Sequence, residues 1–311
     1  MVVRVPVAAI AFSGAHAPDR QYRIDANGIG LALYEWGDAD APPLLCVHGG
    51  FDFARTYDAF APLLAAGGWR VVSWDQRGHG DSDRADLYSW DADLRDALAV
   101  FDHVSPERPI PVVGHSKGGG MMIQLGDAQP FRIASFVNLD GVPYSSIVPD
   151  VAEHNRTKMM STDVQGWLEH RRRTAEHSSR KPGTLQELAH RRARMNPRLS
   201  PEWLLYLASV GSYEGDDGWR WKIDPTMRFG GFGPWRPEWT VLKLPGLSMP
   251  FLAVLGRQPE EMGWGTDPDK VRQFLPPDGR LEILDDAGHF VHIEQPERVS
   301  AWVLDLVGRN T

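Results

Sequence analysis

The sequence of 311 residues has one cysteine, Cys46, so no disulfide can close within the chain and stability has to come from packing. That content suits a reducing compartment better than secretion, and the cytoplasm is the expected location. No apolar run approaches the ~20 residues that a membrane-spanning helix needs. The start imitates a short secretory leader through Arg4, the apolar stretch 5–12 and the small residues around His16, but the stretch is brief and contains Pro6, so no leader is expected. Positive charge is also short: 33 Lys and Arg against 41 Asp and Glu give a formal net charge of −8. Such a surface repels phosphate backbones, and nucleic acid is not an expected partner. The glycines after Ser116-Lys117 lack the GxxxxGK[ST] order of a phosphate loop, no GxGxxG opens a helix, and His289 with His292 lacks HExxH spacing. No cofactor and no metal are expected.

What is present is an ordinary globular composition, with 42% hydrophobic and 24% charged residues, enough for a sizeable core. The length suits two domains or one large α/β unit carrying an insertion. Runs rich in β-branched residues at 44–47, 70–74, 110–113 and 133–139 alternate with helical apolar spacing at 56–66, 92–104 and 117–128. Helices of that length serve as right-handed crossovers, so the sheet should be mostly parallel. From residue 143 to 249 the strand rhythm stops, and helical stretches, basic clusters and tryptophans take over. Strands resume at 251–255 and 280–284, and 296–307 reads as an amphipathic helix with Pro at its first turn. The expectation is a three-layer α/β/α sandwich whose core comprises residues 1–142 and 250–311, with a helical cap at 143–249.

The strongest chemical signal is Gly114-His115-Ser116-Lys117-Gly118, directly after one expected strand and before a helix. A sharp turn there holds the serine in a strained backbone conformation at the sheet edge, and glycines flank it because β-carbons would collide with the neighbouring chain. His48-Gly49-Gly50-Phe51 follows another strand. Its Gly50 amide, with that of Lys117 at a helix N-terminus, is the candidate oxyanion hole. The Lys117 side chain is expected to be solvated. His289, in Asp285-Asp286-Ala287-Gly288-His289-Phe290 after the last strand, is the candidate general base.

These residues resemble the α/β-hydrolases over essentially the whole chain, and more specifically serine hydrolase-like proteins through the segments 171–177 and 215–225. In that family His48-Gly49-Gly50 is similar to the oxyanion turn, the stretch Asp75 to Ser82 to a structural loop after the fourth strand, and Gly288-His289 to the catalytic base. The resemblance implies a third, acidic member. Its commonest place, past Gly256, is taken by Pro259, leaving only the shifted Glu260 or Glu261. Some members, including certain haloalkane dehalogenases and lactone hydrolases, instead take the acid after the strand that follows the nucleophile helix. Asp140 stands there, 24 residues past Ser116, and is preferred, with Glu260 in reserve.

Phe51, His115, Trp219 and Trp235 are candidate pocket residues, and His79 is a further residue within reach of the cavity. The basic runs around Arg172 and Arg192 have the spacing of solvated helix faces. The expected function is a cofactor-independent serine hydrolase that takes a small or medium apolar ester, lactone or thioester through Ser116, His289 and Asp140. The alternatives are a cofactor-free ring-cleaving enzyme, either a C–C hydrolase or a dioxygenase, and a small-molecule receptor with vestigial hydrolysis. Oligomeric state is not readable from the sequence.

Overall fold

The structure, a computed structural model, describes residues 10–142, 153–174, 180–227 and 237–308, without the side chains of 153–160, 163 and 237–239. An eight-stranded sheet runs through the molecule in the order β1-β2-β4-β3-β5-β6-β9-β10. Its strands are β1 (Arg20–Asp25), β2 (Gly30–Trp36), β3 (Pro43–Val47), β4 (Arg70–Trp74), β5 (Ile110–His115), β6 (Ile133–Leu139), β9 (Phe251–Gly256) and β10 (Arg280–Leu284). β1 and β2 pair antiparallel, as do β2 and β4, and every other neighbouring pair is parallel. The central parallel strands are buried on both faces, which is why they read as continuous apolar runs.

Alternate residues of one strand feed opposite layers: Leu45 and Val47 join one apolar cluster, and Leu44 and Cys46 the other. The first cluster lies under α2 (Trp90–Val104) and α3 (Lys117–Ala128), the second under α1 (Ala61–Ala66) and α9 (Pro296–Gly308). α2 starts where the Ser89 hydroxyl accepts from the Ala92 amide and acidic Asp91 and Asp93 meet the positive helix end. Its buried Ala97, Val100, Phe101 and Val104 recur at helical spacing. The expected helix 56–66 is broken: a helical turn, Ala54–Tyr57, precedes α1, because Pro62 suits a helix start and not an interior.

Between β6 and β9 runs an insert containing α4 (Glu153–Thr174), α5 (Leu185–Ala193) and α6 (Pro201–Gly211). Thr184 and Glu187 close a reciprocal cap at the start of α5. The expectation of no strands in this stretch is corrected by the hairpin β7 (Ser212–Gly215) and β8 (Gly218–Trp221), turned by Asp216-Asp217. Val241, Leu244, Leu247 and Met249 fall within the range expected for the cap, yet they pack in the apolar cluster beneath the sheet. The remaining α-helices among the described residues are α7 (Pro268–Val271) and α8 (Val291–Glu294). No helix among the described residues is long and apolar enough to cross a membrane.

Candidate active site

β5 ends in the tight turn that carries Ser116, whose φ of 52° and ψ of −119° lie in a region side chains rarely occupy. The crowding that enforces it is measurable: a Cβ on Gly118 would lie 2.3 Å from the Val47 carbonyl oxygen, and one on Gly114 would lie 2.9 Å from that of Gly118. Lys117 is the first residue of α3, so its amide has no intrahelical acceptor.

Two distant segments meet this serine. His289, on the loop after β10, places Nε2 2.9 Å from Ser116 Oγ. On its other side Nδ1 lies 2.6 Å from Asp140 Oδ2. Asp140 follows β6 with φ 45°, its amide donates to the Val254 carbonyl, and its Oδ1 accepts from the Gly256 amide at 3.2 Å. Each carboxylate oxygen therefore has a donor. Glu260 is close by but accepts the main-chain N–H of His289 at 3.2 Å, not the ring. Burial, reinforced by Glu294, raises its pKa. Glu261 is exposed.

The turn after β3 lies against this elbow. A Cβ on Gly49 would come within 3.1 Å of Ser116 Cβ, and one on Gly50 within 3.7 Å of Lys117 Cδ. The Phe51 N–H donates to His79 Nε2 at 3.1 Å, and His79 Nδ1 donates to the Arg77 carbonyl, so that ring is neutral; burial holds its pKa well below the usual value. His48 is likewise neutral, its Nε2 accepting from the Gln76 amide, with burial pushing its pKa down to about 3. The stretch from Asp75 to Ser82 braces the loops. Buried Asp75 accepts from the Ala54 and Asp81 amides and the Tyr34 hydroxyl, and Arg77 grips Asp96 through two nitrogens, each at 2.7 Å.

Three expectations need correction. The Lys117 ammonium is not simply solvated: it pairs with Asp93 at 2.6 Å and donates to Gln76 Oε1, because α2 brings an acidic first turn beside it. His115, expected in the pocket, is buried. At 1% exposure it is packed among His289, Phe290 and His292, with Nε2 within 3.0 Å of the His289 carbonyl oxygen. Within the basic runs, Arg172 and Arg173 are exposed and pair with Glu169, but Arg192 is buried and donates through Nη1 to the Phe51 carbonyl at 2.7 Å. Phe51 is half-buried against Phe53, Leu207, Ile223 and Met227. Trp219, on β8, packs with α5 and α6, while Trp235 lies outside the described residues. Asp52 and Arg192, absent from the sequence-based site, carried no sequence signal beyond residue type.

The site joins a serine on a strand-to-helix elbow to an imidazole and carboxylate drawn from later strands of a mostly parallel sheet. A profile of the alpha/beta hydrolase family matches residues 44–302, and the chain belongs to that family. Epoxide hydrolase A of Mycobacterium tuberculosis is 26% identical over 91% of this chain and 96% of its own length. A non-heme chloroperoxidase of Burkholderia pyrrocinia is 34% identical, over 39% of this chain and 45% of that protein. Among solved structures, the thioesterase domain from the curacin biosynthetic pathway superposes with a TM-score of 0.74 at 21% identity, covering 92% of this chain and 99% of that one. A malate-bound esterase from Thermogutta terrifontis gives 0.67 at 22% identity, covering 94% and 99%.

Proposed function

We propose that the protein is a cofactor-independent serine hydrolase acting on a small or medium apolar ester, lactone or thioester. The observation that carries this reading is the continuous chain from Asp140 through His289 to Ser116 Oγ, with both links at hydrogen-bond distance. Asp140 holds the imidazole with its proton on Nδ1, leaving Nε2 to accept the serine proton as Oγ attacks a carbonyl carbon. The amides of Gly50 and Lys117 receive the developing oxyanion, where one donor is worth on the order of 10²- to 10³-fold in rate. The imidazolium then protonates the leaving group, and water activated by the same Nε2 releases the acyl group. A cytoplasmic location belongs to the same reading and rests on the lone, buried Cys46.

The similarity to an epoxide hydrolase favours a second reading. Chemistry weighs against it at this residue. Serine attack on an epoxide carbon would give an alkyl ether, which has no carbonyl for water to attack and cannot turn over through His289. The acyl reading therefore fits the nucleophile better. Ser116→Ala should reduce hydrolysis of a p-nitrophenyl ester to background and abolish labelling by a fluorophosphonate. Undiminished turnover, or epoxide opening by the same variant, would overturn the reading.

A further inference from the structure

We infer that Arg192, from the insert, is a positioning residue that fixes the oxyanion turn, so that docking of α5 completes the catalytic geometry. The inference rests on the serine hydrolase reading above.

Phe51 follows the candidate oxyanion donor Gly50 and has a left-handed φ of 57°, an unfavourable conformation for an aromatic residue unless its neighbours enforce it. Both of its peptide groups are held. On the core side its N–H donates to His79 Nε2 at 3.1 Å; on the insert side its carbonyl accepts from Arg192 Nη1 at 2.7 Å. Gly49, one residue before Gly50, is wedged against His115 and Ser116. The direction of the Gly50 N–H is thus set from before and after; Arg192 holds the Phe51 main chain from the insert, while Arg180, Leu207, Ile223 and Met227 of the insert pack against the Phe51 side chain.

The rest of the guanidinium's surroundings shows that it is not optimised as a stabilising ion pair. Arg192 is buried, yet its Nη2 is 4.0 Å from Asp52 Oδ1, beyond hydrogen-bond distance. A buried pair selected for stability would close into a two-pronged arrangement. Here the one short hydrogen bond goes to the strained peptide, and Asp52, whose pKa burial raises, stands farther off. The guanidinium also lies 6.0 Å over the ring of Phe290, whose neighbour is His289, so it touches the segments bearing both the oxyanion donor and the base. Catalytic electrostatics are sensitive to sub-ångström placement, and a misplacement of about 1 Å can cost ~10²-fold.

The test is Arg192→Met, with kcat and KM measured on a p-nitrophenyl ester and Ki on a trifluoromethyl ketone that forms a tetrahedral adduct with the serine. The expected result is a fall in kcat of roughly 10- to 100-fold, KM within about twofold, and a Ki that rises with the loss in kcat. Should this variant not fold, Arg192→Lys keeps the charge beside Asp52 but surrenders the planar donor, and kcat and ketone affinity should still fall together, by a smaller factor. A change in KM alone, unaltered kinetics, or a lower kcat with unaltered ketone affinity would overturn the proposal. Ser116→Ala in the same assay separates the failures. Persisting turnover there overturns the serine reading and this proposal with it; loss there beside a normal Arg192 variant overturns this proposal alone.

Discussion

The two carboxylates near His289 differ in what they can do because they meet different atoms of it. Asp140 faces Nδ1 at 2.6 Å, whereas Glu260 faces the main-chain N–H. Asp140→Asn presents an amide that can donate to Nδ1, favouring the tautomer with the proton on Nε2, and should lower kcat by roughly 10⁴. Glu260→Gln keeps an oxygen to accept the same amide and should change kcat less than about threefold. The reverse ranking in steady-state kinetics would transfer the orienting role to Glu260. Much of the site was legible at this scale because glycine reports backbone constraint directly: Gly114 and Gly118 flank Ser116 where a Cβ has no room. Arg192 was not legible. A cation at helical spacing reads as solvated until one knows which face of α5 is docked, and neighbouring Arg191 instead reaches the Pro182 carbonyl.

Among the elements, α8 shows how burial changes a residue's meaning. Its His292 is fully buried against Tyr57, Phe60 and His115, with neither ring nitrogen hydrogen-bonded, and burial pushes its pKa down to about 3. The unfolded chain takes up this proton near pH 6.5 while the native state resists it down to about pH 3. Its contribution is thus fully present above pH 6.5 and is lost as the pH falls towards 3. His292→Phe fills the same space without a proton to bind. Urea unfolding of the two proteins should give similar stabilities at pH 8, with the wild type losing up to ~1.4 kcal/mol more per pH unit below about 6. Parallel pH curves would show that His292 is not the proton-linked group. Elements were readable where apolar residues carry the signal, as continuous runs in β4 and β6 and at helical spacing in α3. The hairpin β1-β2 was missed although Asn27-Gly28, both at positive φ, is a hairpin signal; β7-β8 was missed because its strands have only four residues each.

At the scale of the whole molecule, the parallel part of the sheet and its crossovers follow from the sequence, whereas the seating of the insert depends on contacts that join residues far apart in the chain. Tyr206 on α6 donates to Asp58, beside the turn Ala54–Tyr57, and Arg55 holds the same carboxylate at 2.6 Å. Tyr88 donates to Asp224 at 2.6 Å, and Lys222 pairs with Asp81 at 2.9 Å. Phe12 stacks edge-on against Trp203 with ring centres 5.0 Å apart, binding the first described segment to α6. These links cross the boundary repeatedly, so insert and core should unfold in one transition, with tryptophan fluorescence and far-ultraviolet circular dichroism coinciding. Tyr206→Phe tests the coupling. Burial raises the Asp58 pKa to about 6 despite Arg55 and Tyr206, so ionising this carboxylate works against folding: the favourable contribution of its protonated form is complete below about pH 4 and is lost as pH rises through 6. The tyrosine hydroxyl matters most when the carboxylate is charged. Its removal should cost about 1–3 kcal/mol at pH 8 and clearly less at pH 5, where Asp58 is largely protonated. An equal loss at both pH values would show that the Tyr206 hydroxyl acts independently of the Asp58 charge, as the acceptor of Arg55 Nη2 at 3.2 Å, and two separated transitions would show that the insert folds independently of the sheet.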